Sequence, residues 1–420
     1  MECTTHAWVP GPFGLDARRG STMPDQRTVL AVAHHLTAAT RLADVMPLLE
    51  TDRRVAVAYT AAPASAFTGG LEEHLRDLGG LVLPWWQAVT TRFDLVVAAS
   101  HGMLENLHGP VMTVLHGAGP GKLLGRLRGA GPPAARPVTG LIRERIVVAG
   151  RVVPSSLALA HERHLGMLDH ECPEARPVAF VCGDPCLDRL TASLPYREAY
   201  RRALGVGGRR LVFVSSTWDR DSLLGTHPDV LLRLATELPR DEYQIVAALH
   251  PHVWSWYRRR QVLSWHADCL RLGVRLLPPE EGWRAALVAA DRVIGDHGSV
   301  TYYGAALGVP VLLGTFPEDS VAPGTHTARL GAVAPRVEWD RPLVPQLAEA
   351  AHAFTDRVHD EMRRDLSSRP GEAARLIRAE MYRLMRLEDR ACPPDVLPVP
   401  APAPVAVPEA CPPAARLRAA

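Results

Sequence analysis

Eight short apolar runs, most with a polar turn at the carboxyl end, constrain this 420-residue chain more than any other feature. The first four are Thr28–Ala33, Arg54–Tyr59, Phe93–Ala98 and Pro110–Leu115, and the last four are Arg210–Ser215, Tyr243–Leu249, Arg292–Ile294 and Val309–Leu313. Runs this short, apolar at successive rather than alternate positions, suit strands covered on both faces. Helical spacing between them, as at Leu42, Val45, Met46 and Leu49, supplies the covering layers. The expected fold class is therefore α/β, with two doubly wound Rossmann-like domains of similar size facing a central cleft.

The expected boundaries are a disordered leader over 1–25 and an N-terminal Rossmann-like domain over 26–192. A C-terminal Rossmann-like domain over 193–340 follows, then terminal helices over 341–390 that pack on the domains. Leu343–Leu366 and Gly371–Leu387 read as those two helices. Residues 391–420 hold nine prolines and read as a disordered or polyproline-like tail outside the fold. Arg145–Val148 and Pro177–Val181 are expected to close the first sheet, with a helix over Ser155–Leu168 between them, and Ser193–Leu204 to connect the domains. Met23, four residues before the first strand, is an alternative start.

Composition excludes more than it proposes. A formal charge of +2 gives no reason to expect nucleic acid. The seven cysteines are scattered, and the one close pair, in Cys182-Gly183-Asp184-Pro185-Cys186, lacks a second pair at zinc spacing, so no metal is expected. No run reaches the ~20 apolar residues of a membrane span and no signal peptide is evident, which makes a cytoplasmic protein the default. No G-x-S-x-G elbow, paired-carboxylate motif or G-x-G-x-x-G turn appears.

The polar clusters fall at strand exits, where such sheets bind ligands. In the first domain they are His34-His35, Ser100-His101 and the His116–Lys122 turn; in the second, Ser215–Arg220, His250-Pro251-His252 and Asp296–Ser299. The His116–Lys122 turn is not a Walker loop, since that pattern needs glycine at 116 and a hydroxyl at 123, where His116 and Leu123 stand. Its glycines can wrap an anion, Lys122 can neutralise it, and His116 can accept a proton. The Asp296–Ser299 turn also opens a helix, whose N-terminus favours phosphate. Trp254, Trp256 and Arg258–Arg260 form a basic, aromatic stretch that reads first as one helix with a solvated face.

Taken in order, these motifs resemble the CDP-glycerol glycerophosphotransferases, the polymerases and primases of teichoic-acid backbones. That family's WHG segment and lysine correspond to Leu115-His116-Gly117 and Lys122, and its PTWR-like exit to Ser216-Thr217-Trp218 with Arg220. Its HP corresponds to His250-Pro251, its TDYSS turn to Gly295-Asp296-His297-Gly298-Ser299, and its PV strand to Pro310-Val311. Val181–Pro185 resembles a further G-x-P-R-x-D region in altered form. The tryptophan of WHG is Leu115 here, the arginine is displaced to Arg220, and His297 and Gly298 replace a tyrosine and a serine.

The resemblance implies a GT-B fold and a transferase acting from a nucleotide-activated donor such as CDP-glycerol, with no cofactor. It implies His116 as base toward the hydroxyl of a polyol or glycan acceptor, with His250 as the second catalytic histidine. Thr217, Arg220, His250, Asp296, Gly298 and Ser299 would hold the donor, and His34, His35, His101 and Lys122 would contact acceptor or phosphate. An acceptor on the cell envelope would require peripheral docking on the inner face of the membrane. The alternatives are a UDP-sugar glycosyltransferase or 2-epimerase of the same fold, with Glu280 or Glu281 on the ribose, and a non-catalytic nucleotide-binding relative.

Overall fold

The computed structural model describes residues 8–14, 17–20, 22–23, 26–124, 136–390 and 395–406. The chain forms two compact units. Unit 1 comprises Met1–His116, Gly140–Pro185 and Arg369–Asp395, and unit 2 comprises Gly117–Thr139, Cys186–Ser368 and Val396–Ala420. Three chain segments build each unit, so the expected cuts at 192 and 340 are replaced by five crossings. The glycine-rich turn after His116 belongs to unit 2, and the last helix to unit 1.

Unit 1 is built on a seven-stranded sheet in the order β3-β2-β1-β4-β5-β8-β9, parallel throughout. Its strands are β1 (Arg27–Ala33), β2 (Val55–Ala61), β3 (Leu81–Val82), β4 (Leu95–Ala98), β5 (Val111–Val114), β8 (Ser156–Leu159) and β9 (Ala179–Val181). β6 (Val147–Val148) and β7 (Arg151–Val152) form a separate antiparallel pair. Alternation along β1 shows why the run is apolar at consecutive positions. Val29, Ala31 and Ala33 join one core with Leu42, Met46 and Met381, while Leu30 and Val32 join another with Ala58, Phe93 and Val96. Both faces are covered, so both favour apolar residues.

Ser156–Leu159 is a buried strand rather than the expected helix start, and the helix runs over Arg163–Glu171. So short a run, with three apolar residues, carries no period that separates the two, and here the sheet decides. Arg145–Val148 does not close the sheet: a short helix, Arg143–Ile146, leads into the β6–β7 pair.

Unit 2 repeats the plan with five parallel strands in the order β12-β11-β10-β13-β14. They are β10 (Arg210–Ser216), β11 (Tyr243–Leu249), β12 (Arg275–Leu276), β13 (Arg292–Gly295) and β14 (Val311–Leu313). Leu211 and Phe213 face one core, and Val212 and Val214 the other. In each sheet the order reverses at one place, between β1 and β4 in unit 1 and between β10 and β13 in unit 2. The adjoining crossovers leave on opposite faces there, which opens a crevice at the strands' carboxyl ends.

The expected connecting helix over Ser193–Leu204 is two helices, Pro185–Ser193 and Arg197–Ala203, joined by a 3₁₀ turn. Leu343–Leu366 is likewise two helices, Leu343–Ala353 and Asp356–Leu366, the second capped by the Thr355 side chain. The final helix, Ala373–Met385, packs Ile377, Met381 and Tyr382 into unit 1. Its buried Arg378 is bound to Asp389 at 2.8 and 2.9 Å and to the Leu48 carbonyl.

Both expected disordered ends contribute to the fold where the structure describes them. Near the amino end, Val9 exchanges two 2.9 Å hydrogen bonds with the Gln87 amide, and Phe13 is buried against Phe93. Residues 1–7 lie outside the described residues. The proline-rich segment runs over unit 2 as a strap. Val399 is buried, its amide donates to Ser193 Oγ at 2.9 Å, and its carbonyl accepts from Tyr200 at 2.6 Å. The Val405 amide donates to the Leu276 carbonyl at 2.8 Å, on the edge strand β12. Prolines have no N–H to satisfy, so the strap is held through valine amides and its own carbonyls. Residues 391–394 and 407–420, with Cys392 and Cys411, lie outside the described residues.

Val399→Ala is expected to lower unfolding stability by about 2 kcal/mol through the buried methyls it removes. Urea unfolding of the full chain checks this, and an unchanged midpoint would mean that the strap adds no core.

Candidate functional site

The unit 2 crevice is organised by Asp296, fully buried at the end of β13. Its Oδ2 accepts from the Thr217 amide and hydroxyl, both at 2.8 Å, and from the Leu223 amide at 2.9 Å. Its Oδ1 accepts from the Gly298 amide at 2.9 Å. One carboxylate thus ties the exit of β10 to the exit of β13 across the point where the strand order reverses. Asp296 and the Thr217 hydroxyl, expected as donor contacts, are engaged with the protein itself and shape the crevice.

Beyond the brace, the helix Ser299–Ala306 begins at Gly298, with no side chain capping its first amides. Gly298 is required by packing, since a Cβ there would stand 2.5 Å from Thr217 Cγ2. The turn from Gly117 to Lys122 packs against the same helix. Tyr303 donates its hydroxyl to the Gly117 carbonyl at 2.9 Å, and a Cβ on Gly117 would stand 2.7 Å from Ser299 Oγ. Gly117 also has φ +69°, so glycine is required there twice over.

Lys122 is pinned by its backbone, which accepts from the Thr139 amide at 2.8 Å and bridges to Val321. Burial pushes its ammonium down, with Asp296 opposing. Among the described residues no hydrogen bond or ion pair is recorded for that ammonium. His297, between the brace and the helix, is buried, and its Nδ1 has no hydrogen-bond partner. Burial, with the Lys122 charge, pushes this imidazole down to about 2, so it is neutral.

His250 caps the helix that opens at Pro251, and its Nδ1 accepts from the His252 amide at 3.1 Å; a break at Arg258 (φ +67°) divides the stretch to Trp265, so Trp254–Arg260 is not the single helix expected. Nδ1 is therefore unprotonated in the neutral ring, and the proton sits on Nε2, where it can be donated to an anionic oxygen. His252 lies 4.5 Å from His250 and 4.8 Å from the half-exposed Trp218, centroid to centroid. Arg220 is exposed on the loop after β10; its amide is held by Asp219 at 2.6 Å, and Asp219 takes φ +85°.

The unit 1 crevice gathers four histidines from three strand exits. His34 is buried, its Nε2 donating to the Gly102 carbonyl at 2.9 Å, and its Nδ1 has no partner. His35 caps the helix Leu36–Val45 with Nδ1 accepting from Ala38, and its ring meets His116 edge-on at 4.9 Å. His116 Nδ1 lies 2.6 Å from the Ala99 carbonyl. A carbonyl only accepts, so Nδ1 carries the proton and Nε2 keeps its lone pair. Burial pushes His116 down to about 4, helped by Arg41 and His34 and opposed by the Ala99 bond. Burial also pushes His101 to about 4, with His34, His116 and Arg145 adding to it.

The structure thus gathers His34, His35, His101 and His116 in unit 1, and Lys122, Thr217, Asp296, Gly298 and Ser299 in unit 2. His297, His252 and Arg145 are additions to the expected set. In the sequence, His252 stood in the His250-Pro251-His252 cluster and His297 was marked by His297-Gly298 in place of Tyr-Ser, while nothing marked Arg145. Cys182 and Cys186 are buried thiols, and among the described residues no three potential metal ligands cluster. No helix of the described residues is long and apolar enough to cross a membrane.

No protein-family model matches the chain, and no curated protein sequence is similar to it. Solved structures are similar in fold. The wall teichoic acid polymerase TagF, in a variant soaked with CDPG, superposes with a TM-score of 0.59 at 13% identity, covering 87% of this chain and 89% of that one. UDP-GlcNAc 2-epimerase from Neisseria meningitidis bound to UDP-GlcNAc gives 0.51 at 14% identity, covering 84% and 99%. S. aureus MnaA with UDP gives 0.51 at 12%, covering 86% and 98%. The fold is of the GT-B type, and the likeness in fold to the wall teichoic acid polymerase TagF extends over most of the chain.

Two outcomes follow from this geometry. Asp296→Asn places an amide N–H against a backbone N–H and is expected to cost about 3 kcal/mol of stability, read by chemical denaturation. His101, His116 and His297 are neutral when folded and take up protons more readily when unfolded, at their ordinary 6.5. Their contribution is fully present above that value and is lost as pH falls below it, down to about 4 for His101 and His116. Unfolding midpoints measured across that window are expected to fall with pH, and less steeply in His101→Gln.

Proposed function

We propose that the chain is a transferase using a nucleotide-activated donor, and specifically that it transfers a glycerol-phosphate unit from CDP-glycerol to an acceptor hydroxyl. The observation that carries this reading is the fixed tautomer of His116, whose Nδ1–H is spent on Ala99 so that Nε2 offers a lone pair. In the proposed step, Nε2 takes the acceptor's hydroxyl proton. The acceptor oxygen bonds to the phosphorus bearing glycerol, the bond from that phosphorus to the CMP oxygen breaks, and CMP leaves.

A base held near 4 is weak in the free protein. It is, however, fully unprotonated at neutral pH, and its basicity rises beside a bound phosphate. In-line transfer at phosphorus depends on positioning and charge stabilisation more than on covalent help. We assign the donor to unit 2, with its phosphates at the Ser299–Ala306 N-terminus and Lys122, and His250 Nε2–H donating to a phosphate oxygen. Ser299, half-buried in the first turn, adds a hydroxyl. His34, His35 and His101 are assigned to the acceptor, a polyol or glycan. Arg220, exposed beside Trp218, is assigned to the outer part of the donor.

The second reading is a UDP-sugar glycosyltransferase or 2-epimerase, favoured by the likeness in fold to the UDP-bound structures. It needs a carboxylate on the ribose. Glu281 already accepts from the Gly282 amide at 2.9 Å and pairs with Arg284, which leaves Glu280 for that role. A non-catalytic relative would keep nucleotide affinity without turnover.

Calorimetry with CDP, UDP, GDP and ADP checks the donor. CDP is expected to be preferred, with His250→Ala and Ser299→Ala each weakening it about tenfold. His116→Asn is expected to reduce transfer from CDP-glycerol by about a thousandfold while leaving CDP affinity within about twofold. Preference for UDP would favour the second reading, and no nucleotide binding would sink both.

A further inference from the structure

We propose that His297 and Lys122 form a proton-coupled anion pair in unit 2, in which His297 takes up one proton when a nucleoside diphosphate binds and releases it when the product leaves. The inference rests on the transferase reading above and adds a residue to its donor site.

The geometry has three parts. His297 is 7% exposed, and its Nδ1 has no partner, which is costly for a buried ring nitrogen unless a ligand fills the place. It is next to Gly298, the residue that starts the Ser299–Ala306 helix, and that helix presents uncapped amides. Lys122 lies within electrostatic reach, on a turn clamped by Tyr303 at Gly117 and packed at Gly121 against His326 and Thr327.

The charged neighbours of His297 are Lys122 from the Gly117–Lys122 turn and Asp296 from the β13 exit, while Tyr303 and His326 bear on that turn at Gly117 and Gly121. Asp296 is the only anion among them, and all four of its hydrogen bonds are committed to the brace. Without ligand, the buried imidazole meets the Lys122 cation while the Asp296 oxygens are taken up by the brace, and it stays neutral, in keeping with its depressed basicity. A diphosphate reverses that balance. It carries about three negative charges, it is drawn to the helix N-terminus, and a phosphate oxygen is the acceptor that a protonated Nδ1 lacks. The proton comes from solvent on binding and returns to solvent when the product departs. No bond other than N–H forms or breaks on the protein.

Proton uptake distinguishes this role from packing. In full-length protein carrying ¹³C-labelled histidine, the His297 Cε1 signal is identified by its loss in His297→Gln or, should that variant fail to fold, in His297→Asn. The free protein is expected to show the neutral signature at about pH 7, and saturating CDP the imidazolium signature at the same pH. Calorimetry in buffers of different ionisation enthalpy is expected to give about one proton taken up per CDP bound, and close to none in His297→Gln, which still binds CDP about tenfold more weakly. CDP binding with His297 neutral, or with uptake undiminished in His297→Gln, overturns the proposal and leaves the transferase reading standing. Failure of the wild type to bind any nucleoside diphosphate overturns the transferase reading, and this proposal with it.

Discussion

Much of unit 2 depends on the Asp296 carboxylate. A buried carboxylate without partners is expensive, so its oxygens must be met by donors, and here all four come from Thr217, Leu223 and Gly298. Those donors sit on two strand exits that the parallel sheet sets side by side but does not bond to each other beyond the strands. The carboxylate supplies that link. It fixes the loop after β10, brings Gly298 close enough to Thr217 that no other residue fits, and thereby sets where the Ser299–Ala306 helix begins.

Each unit then works by the same device. Backbone groups at a strand exit orient an imidazole, and the hydrogen bond they make decides which ring nitrogen is left to act. The Ala99 carbonyl leaves His116 with a basic Nε2, while the His252 amide leaves His250 with an Nε2–H donor. Two histidines of equal intrinsic chemistry thus present opposite groups at Nε2, a lone pair on His116 and an N–H on His250. Burial removes the charged forms of His101, His116 and His297. These three imidazoles are therefore neutral in the folded protein at neutral pH.

Glycine serves these crevices through shape. Gly117 combines a left-handed backbone with contact against Ser299, and Gly298 has an ordinary backbone but no room for a Cβ. The strap formed by Leu397–Val405 performs a different task, covering the edge of β12 with a chain whose prolines ask for no hydrogen bonds.

The sequence by itself determined the two parallel sheets, because strands buried on both faces must be apolar at consecutive positions, and β1, β4, β10 and β13 are. It also placed the polar turns at the strand exits. It did not determine that Ser156–Leu159 is a strand, because a run of three apolar residues suits either a strand or a helix until neighbours accept their amides. Nor did it show that the proline-rich end folds, since that segment has no periodic face and is held by Ser193, Tyr200 and Leu276, far away in the chain. Tertiary structure alone separated the brace from the contacts. Asp296 and Thr217 look like ligand-binding residues in the turn sequence, and only their mutual hydrogen bonds show them engaged. His297 looks like a lost tyrosine, and only its burial beside Lys122 makes its proton matter. Residue type and period are written along the chain, but hydrogen-bond partnership and desolvation arise only when distant segments meet.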